Sequence, residues 1–367
     1  MRARVFRVVA TVLVGAVLLG VGGCSKSSEP ETRERETYVF EPVRMAAAYL
    51  ALMEKPDAVR ALLIGEEARK LKAVFEHVGV KAQTTKTGGR YDLVLVACDE
   101  MSPESYAKAA DLLTDTGVIA WMMDMREVTF GQFRRRLESF RPQQAHLWMP
   151  GDGQWLLVGR PSPRQVKLGA MLEVFTREKA FDDFARAYSA TVPEMFASYV
   201  GTREDVLPVF QLNDAQAQVC PECFVTKDIP VLDWVSDVGL DADIAQQVRA
   251  EIRSMQVVRR LVLEGKLLSQ KATDKKGEEA AVEKWNAAAL RNPRDLMLLE
   301  RLDRLDRNAR GFLSLGKILQ AMKCYETMVL IRPTAVSVHN FGKCLEKIGK
   351  RDLAEQAFKR ARELQAK

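Results

Sequence analysis

The sequence predicts an α/β fold, a largely parallel sheet covered by helices, followed by an all-helical domain. Four observations carry this. Arg90-Tyr-Asp-Leu-Val-Leu-Val-Ala-Cys98 contains a short apolar run, half of it β-branched, after the Gly88-Gly89 turn, and reads as a strand buried on both faces. Val59-Arg-Ala-Leu-Leu-Ile-Gly65 has the same character. Between the two, Ala68, Leu71, Val74, Phe75 and Val78 recur at helical spacing and stop near Gly79, which makes a strand–helix–strand crossover. From Asp241 onward only helical spacing remains.

The 367 residues suit about two domains. With 47% apolar and 28% charged residues the composition is that of a globular protein. The net charge of +6 is spread along the chain, which gives no nucleic-acid footprint. Three histidines leave little room for a His-rich metal site.

Residues 1–23 read as a leader. Arg2, Arg4 and Arg7 precede an apolar run from Val8 to Gly23 that only Thr11 interrupts. The run ends Leu19-Gly-Val21-Gly22-Gly23-Cys24 and resembles a bacterial lipobox, in which small residues seat the backbone in a peptidase and the cysteine thiol takes the lipid. The alternative is an uncleaved anchor, for which the run is short. Lipid on Cys24 would hold the chain to a membrane leaflet of the bacterial cell envelope, facing the periplasm. Ser25 after the cysteine favours the outer membrane. Residues 24–37 are polar and form a tether. Val43, Ala46, Ala47, Leu50 and Met53 then give a helix within Tyr38–Glu54.

The alternation continues beyond Cys98. Ser102-Pro103 opens a helix over Tyr106 to Leu113, Thr116-Gly117 is a turn, and Val118 to Met123 is a buried strand. Phe130, Phe133, Leu137 and Phe140 share one face of a helix. Ala145 to Met149 and Trp155 to Gly159 flank Pro150-Gly-Asp-Gly153, a hairpin signal.

Several of these segments resemble the spermidine synthase family, especially its membrane-associated bacterial relatives. Tyr91-Asp92-Leu-Val-Leu-Val96 is similar to its YDvIi strand, and Leu112 to Ala120 to its next strand approach. Trp148 to Gly159 looks like its closing hairpin, and Thr226-Lys-Asp228-Ile-Pro230-Val-Leu-Asp233-Trp234 like its TDDrPxLEf segment, after a helical stretch from Leu168 to Val209. The resemblance implies a Rossmann-like sheet of methyltransferase type over 38–165, with 166–240 as a helical extension. It also implies an S-adenosyl cofactor.

The cofactor motifs are degenerate. The family's glycine-rich loop is here Leu63-Ile-Gly65-Glu66-Glu67-Ala68, so only a vestigial Gly65 remains, and Glu66 and Glu67 add bulk and negative charge. The second strand, Val80 to Thr85, ends without the ribose-binding acid. Ala97 stands where the catalytic aspartate belongs, and Asp99 is a weak substitute two residues on. The expectation is a pseudoenzyme without cofactor or catalytic residues. The alternative is an active aminopropyl or methyl transferase.

Cys220-Pro-Glu-Cys223 admits three readings. They are a loop disulfide, two ligands of a zinc ion completed by another subunit, or a redox pair. An oxidising compartment favours the disulfide candidate. Cys98, Cys324 and Cys344 read as small apolar core residues.

Over 241–367 a pattern recurs. Ala281, Trp285, Ala288 and Pro293 are matched in spacing by Ala321, Tyr325, Met328 and Pro333, and then by Ala354, Phe358 and Ala361. Gly342, Leu345 and Gly349 precede the last set. The pattern resembles the tetratricopeptide repeat, whose small residues let two helices approach and whose aromatic fills the gap beside them. A generic helical bundle is the alternative. Stacked repeats imply a groove for a protein or peptide partner. Lys343, Lys347, Lys350, Arg351, Lys359, Arg360 and Arg362 make the last unit basic, which suits solvent or an acidic partner.

Three functions follow as expectations: an envelope-anchored scaffold, a surviving transferase, and a redox or zinc protein built on Cys220 and Cys223.

Overall fold

The computed structural model describes residues 44–98, 101–126, 128–151, 153–174, 192–219, 221–224, 232–293 and 295–366. Cys24, the leader, the tether, Asp99, Cys220 and most of the Thr226–Trp234 segment lie outside these residues. Contacts divide the chain into two units, Met1–Gln256 and Val257–Lys367.

The first unit opens with helix α1, residues 44–54, in which Ala46 to Met53 are all buried. A helix apolar on every side must be sheathed by protein, and α1 lies in the main core beside Leu63, Leu95, Ala120 and Val158. Strand β1 (Arg60–Ile64) leads to two short helices, α2 (Glu66–Arg69) and α3 (Lys72–His77), where the spacing predicted one. The backbone between them tightens, with Leu71 N–H bonding to Ala68 O. Strands β2 (Lys81–Gln83) and β3 (Tyr91–Ala97) follow, then α4 (Pro103–Ala110) and β4 (Leu113–Asp124).

Here the structure corrects the sequence reading. Leu113 begins a strand rather than ending a helix, and Thr116-Gly117 lies inside that strand. The pairing of β3 with β4 shifts between Tyr91 and Leu93, so the extra residues form a bulge. Gly117 permits it, because a Cβ there would stand 3.0 Å from Leu113 Cβ.

Helix α5 (Phe130–Ser139) precedes the hairpin of β5 (Gln144–Trp148) and β6 (Gln154–Arg160). The chain continues through β7 (Val166–Lys167), α6 (Leu168–Val174), α7 (Val192–Phe196), β8 (Tyr199–Thr202), α8 (Arg203–Leu212) and β9 (Val235–Ser236). Strand β8 corrects the helical stretch expected over Leu168 to Val209, since it pairs with β5.

The main sheet has seven strands in the order β2-β1-β3-β4-β6-β5-β8. Strands β2, β1, β3 and β4 are mutually parallel, and β6, β5 and β8 join through antiparallel pairings. Leu93 to Val96 of β3 are buried, so neither face of this central strand meets solvent.

The second unit is helical. The 30-residue helix α9 (Ala242–Lys271) contains the division between the units. It is followed by α10 (Lys275–Arg291), α11 (Leu296–Ser314), α12 (Ile318–Ile331), α13 (Ala335–Lys347) and α14 (Arg351–Gln365). Among the described residues no helix is long and apolar enough to cross a membrane.

Candidate functional site

The strand order reverses between β1 and β3, and in open α/β sheets ligands enter the crevice at such a point. Gly65 leaves β1 there with φ 92°, and a Cβ on it would overlap the Ala97 carbonyl oxygen at the end of β3. The glycine is therefore required by the chain's own backbone. Glu66 and Glu67 do not act as expected. Glu66 projects into solvent, and Glu67 pairs with Arg44 at 2.6 Å and Lys70 at 2.8 Å. What meets β3 at this end is main chain, not carboxylate. Cys98 is exposed, and its carbonyl accepts a hydrogen bond from Trp121 Nε1 at 2.9 Å.

One strand further, Asp124 ends β4 and accepts hydrogen bonds from the Arg126 side chain and backbone. Partial burial works against its charge, but the Arg126 hydrogen bonds outweigh this and hold the carboxyl below its ordinary range. The N-terminus of α5, a natural anion site, is already filled. Thr129 and Gln132 form a capping box, Phe130 N–H donates to Ala217 O at 2.9 Å, and Gly131 N–H donates to Ala215 O at 2.8 Å. Gly131 allows that approach, since a Cβ would come 3.0 Å from Ala215 O. Phe224 fixes the returning segment by packing on Phe130, Phe133 and Trp155. The adjacent Cys223 is disulfide-bonded.

Tyr91 and Asp92, which open β3, lie at the opposite end of the sheet. Asp92 accepts from the N–H groups of Val59 and Arg60 at 2.9 and 3.0 Å and so anchors the start of β1. Tyr91 OH bonds Gln83 and the Thr87 carbonyl, and the Arg60 guanidinium lies 5.0 Å over its ring. These two residues stitch four strands or loops together.

A buried polar cluster escaped the sequence reading. Glu54, at the end of α1, is fully enclosed, and its carboxylate accepts from His146 Nδ1 and Trp148 Nε1, each at 2.9 Å. Arg160 reaches the other carboxylate oxygen and also the Glu54 main-chain oxygen at 2.6 Å. The strand period explains the convergence. His146 and Trp148 share a face of β5, and antiparallel register sets Arg160 opposite Gln144 on that same face of β6. Trp234 closes the cluster by stacking on His146 at 4.2 Å and lying beneath Arg160 at 5.6 Å. Burial opposes ionisation of Glu54, but the charges of His146 and Arg160 prevail and lower its pKa. Burial and the Glu54 charge together push the Tyr199 hydroxyl far upward. His146 Nε2 has no hydrogen-bond partner among the described residues. The one sequence signal was a polar alternation, Gln144, His146 and Arg160, inside otherwise apolar strands.

In the helical unit Ala281, Trp285, Ala288, Ala321, Tyr325, Ala354 and Ala361 are buried. Met328 and Phe358 are half-buried. Gly342 lies against Phe358, where a Cβ would come 2.7 Å from the ring, and Gly265 lies against Trp285 in the same manner at 2.6 Å. Ala309 packs with Tyr325 and Ala321. A small residue on one helix thus faces an aromatic on the next in three successive pairs. Trp285 also donates to Val262 O at 3.0 Å and carries Arg301 over its ring at 4.5 Å. Pro293 and Pro333 follow the ends of α10 and α12, and Asn286 Nδ2 binds the terminal carbonyls of α12.

No model of a known protein family, no curated protein and no solved structure matches the chain, so its site is read from its own geometry.

Proposed function

We propose that the protein is a lipid-anchored envelope scaffold whose sheet unit is a catalytically inactive, spermidine synthase-like domain of Rossmann type and whose helical repeats recruit a protein partner. The sheet order, with its reversal beside β1 and its closing antiparallel hairpin, supports the fold relationship. The observation that carries the inactive reading is the closure at Gly65. The glycine that would cradle a nucleotide is spent on contact with the Ala97 carbonyl. The occupied N-terminus of α5 supports the same reading, because a second anion-binding position is satisfied internally. The facing small and aromatic residues of the helical unit support stacked repeats.

The test is calorimetric titration of the purified full chain with S-adenosylmethionine, its decarboxylated form and methylthioadenosine. No saturable binding is expected with any of the three. Micromolar binding of one would replace the scaffold by a working transferase.

A further inference from the structure

The turns α11–α12 and α13–α14 of the helical unit share a composition of exposed leucine and cation. Leu315 and Leu319 are 68% and 63% exposed and flank Lys317; at the second turn Leu353, 48% exposed, follows Lys350 and Arg351. Gly316 and Gly349 give both turns a positive φ, 70° and 82°. Consecutive helices joined by short turns run antiparallel, so the α11–α12 and α13–α14 turns emerge at the same end of the stack. Tyr325 and Cys344, which pack in one cluster, hold α12 and α13 side by side behind them.

A cation opens each of the two helices that follow these turns, although Asp352 in the first turn of α14 offsets it there. Lys317 and Lys350 sit at the N-caps of α12 and α14, where a cation opposes the dipole, and neither helix has a side-chain cap. Lys317, Lys350 and Arg351 make no ion pair among the described residues. Within residues 315–319 and 348–353 the one carboxylate is Asp352. Exposed leucines beside unpaired cations, repeated on two neighbouring turns, lack a partner that is negative and apolar in layers. A phospholipid surface has that layering, with phosphates outside and acyl chains within. Two exposed turns at one end of the stack also suit a flat surface better than they suit a cleft.

We propose that this edge of the helical unit docks on an anionic membrane. Leu315, Leu319 and Leu353 enter the boundary between headgroups and acyl chains, while Lys317, Lys350 and Arg351 meet the phosphates. The contact does not require lipid on Cys24. Where such a lipid is present, it adds the second attachment that one acyl signal needs for stable anchoring.

Hydrogen–deuterium exchange of the full chain on vesicles tests this, because it reads the turns themselves whatever holds the N-terminus. One set of vesicles is phosphatidylcholine; the other is an equal mixture with phosphatidylglycerol. Amides of residues 313–321 and 346–355 are expected to exchange about tenfold more slowly on the anionic vesicles than on the neutral ones. The variant K317E/K350E/R351E, changed only at exposed positions, should abolish that protection. L315S/L319S, which keeps the charges, should weaken it. Equal exchange on both vesicle types, or protection indifferent to the charge reversal, overturns the proposal. Protection by a soluble acidic polypeptide but by neither vesicle overturns it in favour of a protein partner.

Discussion

Glu54 sits in a position where an unpaired carboxylate could not survive. Enclosed by protein, it keeps its charge only because Arg160, His146 and Trp148 all direct donors at it. Removing one partner of such a pair leaves the other buried and uncompensated, at about 3–5 kcal/mol. Glu54→Gln is therefore expected to destabilise the sheet unit by that amount, measured by urea unfolding at neutral pH. The pH dependence has a definite sign. The carboxyl is depressed below its ordinary value of 4.5 in the folded state, so its stabilisation is complete above that value and is lost as pH falls through the folded-state pKa. Wild-type stability should thus decline below pH 4.5 more steeply than that of Glu54→Gln; parallel profiles would contradict the assignment. Gly65 makes a different demand. Gly65→Ala would place a methyl in the Ala97 carbonyl and force an L residue to positive φ. A loss of about 2–4 kcal/mol is expected in the same assay, and a neutral result would show the loop free to move.

At the scale of elements, strand β3 was legible because Leu93 to Ala97 form an unbroken apolar run of the kind a central parallel strand shows. The start of β4 was not, since Leu112 and Leu113 continue the helical spacing of α4 and only the bulge opposite Tyr91 marks the change. Strand β8 is four residues long beside α8, too short for its period to show. Glu54 and its donors stand 92 to 106 residues apart, and no local pattern connects them. In the helical unit the spacing of Trp285, Tyr325 and Phe358 was legible because it recurs in sequence, whereas Gly265 and Ala309, which face two of these rings from the preceding helices, lie outside that spacing. The energetics follow from that packing. Trp285→Ala is expected to cost about 3–5 kcal/mol, because it removes a buried indole, its bond to Val262 O and the Arg301 contact. Loss of helical circular dichroism at lower denaturant than wild type would register it.

Over the whole molecule, charge and architecture divide together. The excess of basic residues resides in the helical unit, and the sheet unit is net acidic. Sequence alone gave the total of +6 and hid the separation. A chain whose halves differ in sign presents different faces to any charged surface, and association through the helical unit should weaken as salt rises. Binding to anionic vesicles measured across a salt series checks this; salt-independent binding would not fit.

The cluster around Glu54 also has a consequence for biosynthesis. Its acid is made early, its bases about a hundred residues later, and its stacking indole later still. A nascent chain that has emerged from the ribosome only as far as the fourth strand holds a carboxylate with nothing to neutralise it. The sheet is therefore expected to close late, with arrested chains shorter than Trp234 remaining sensitive to protease; protection of such chains would contradict this.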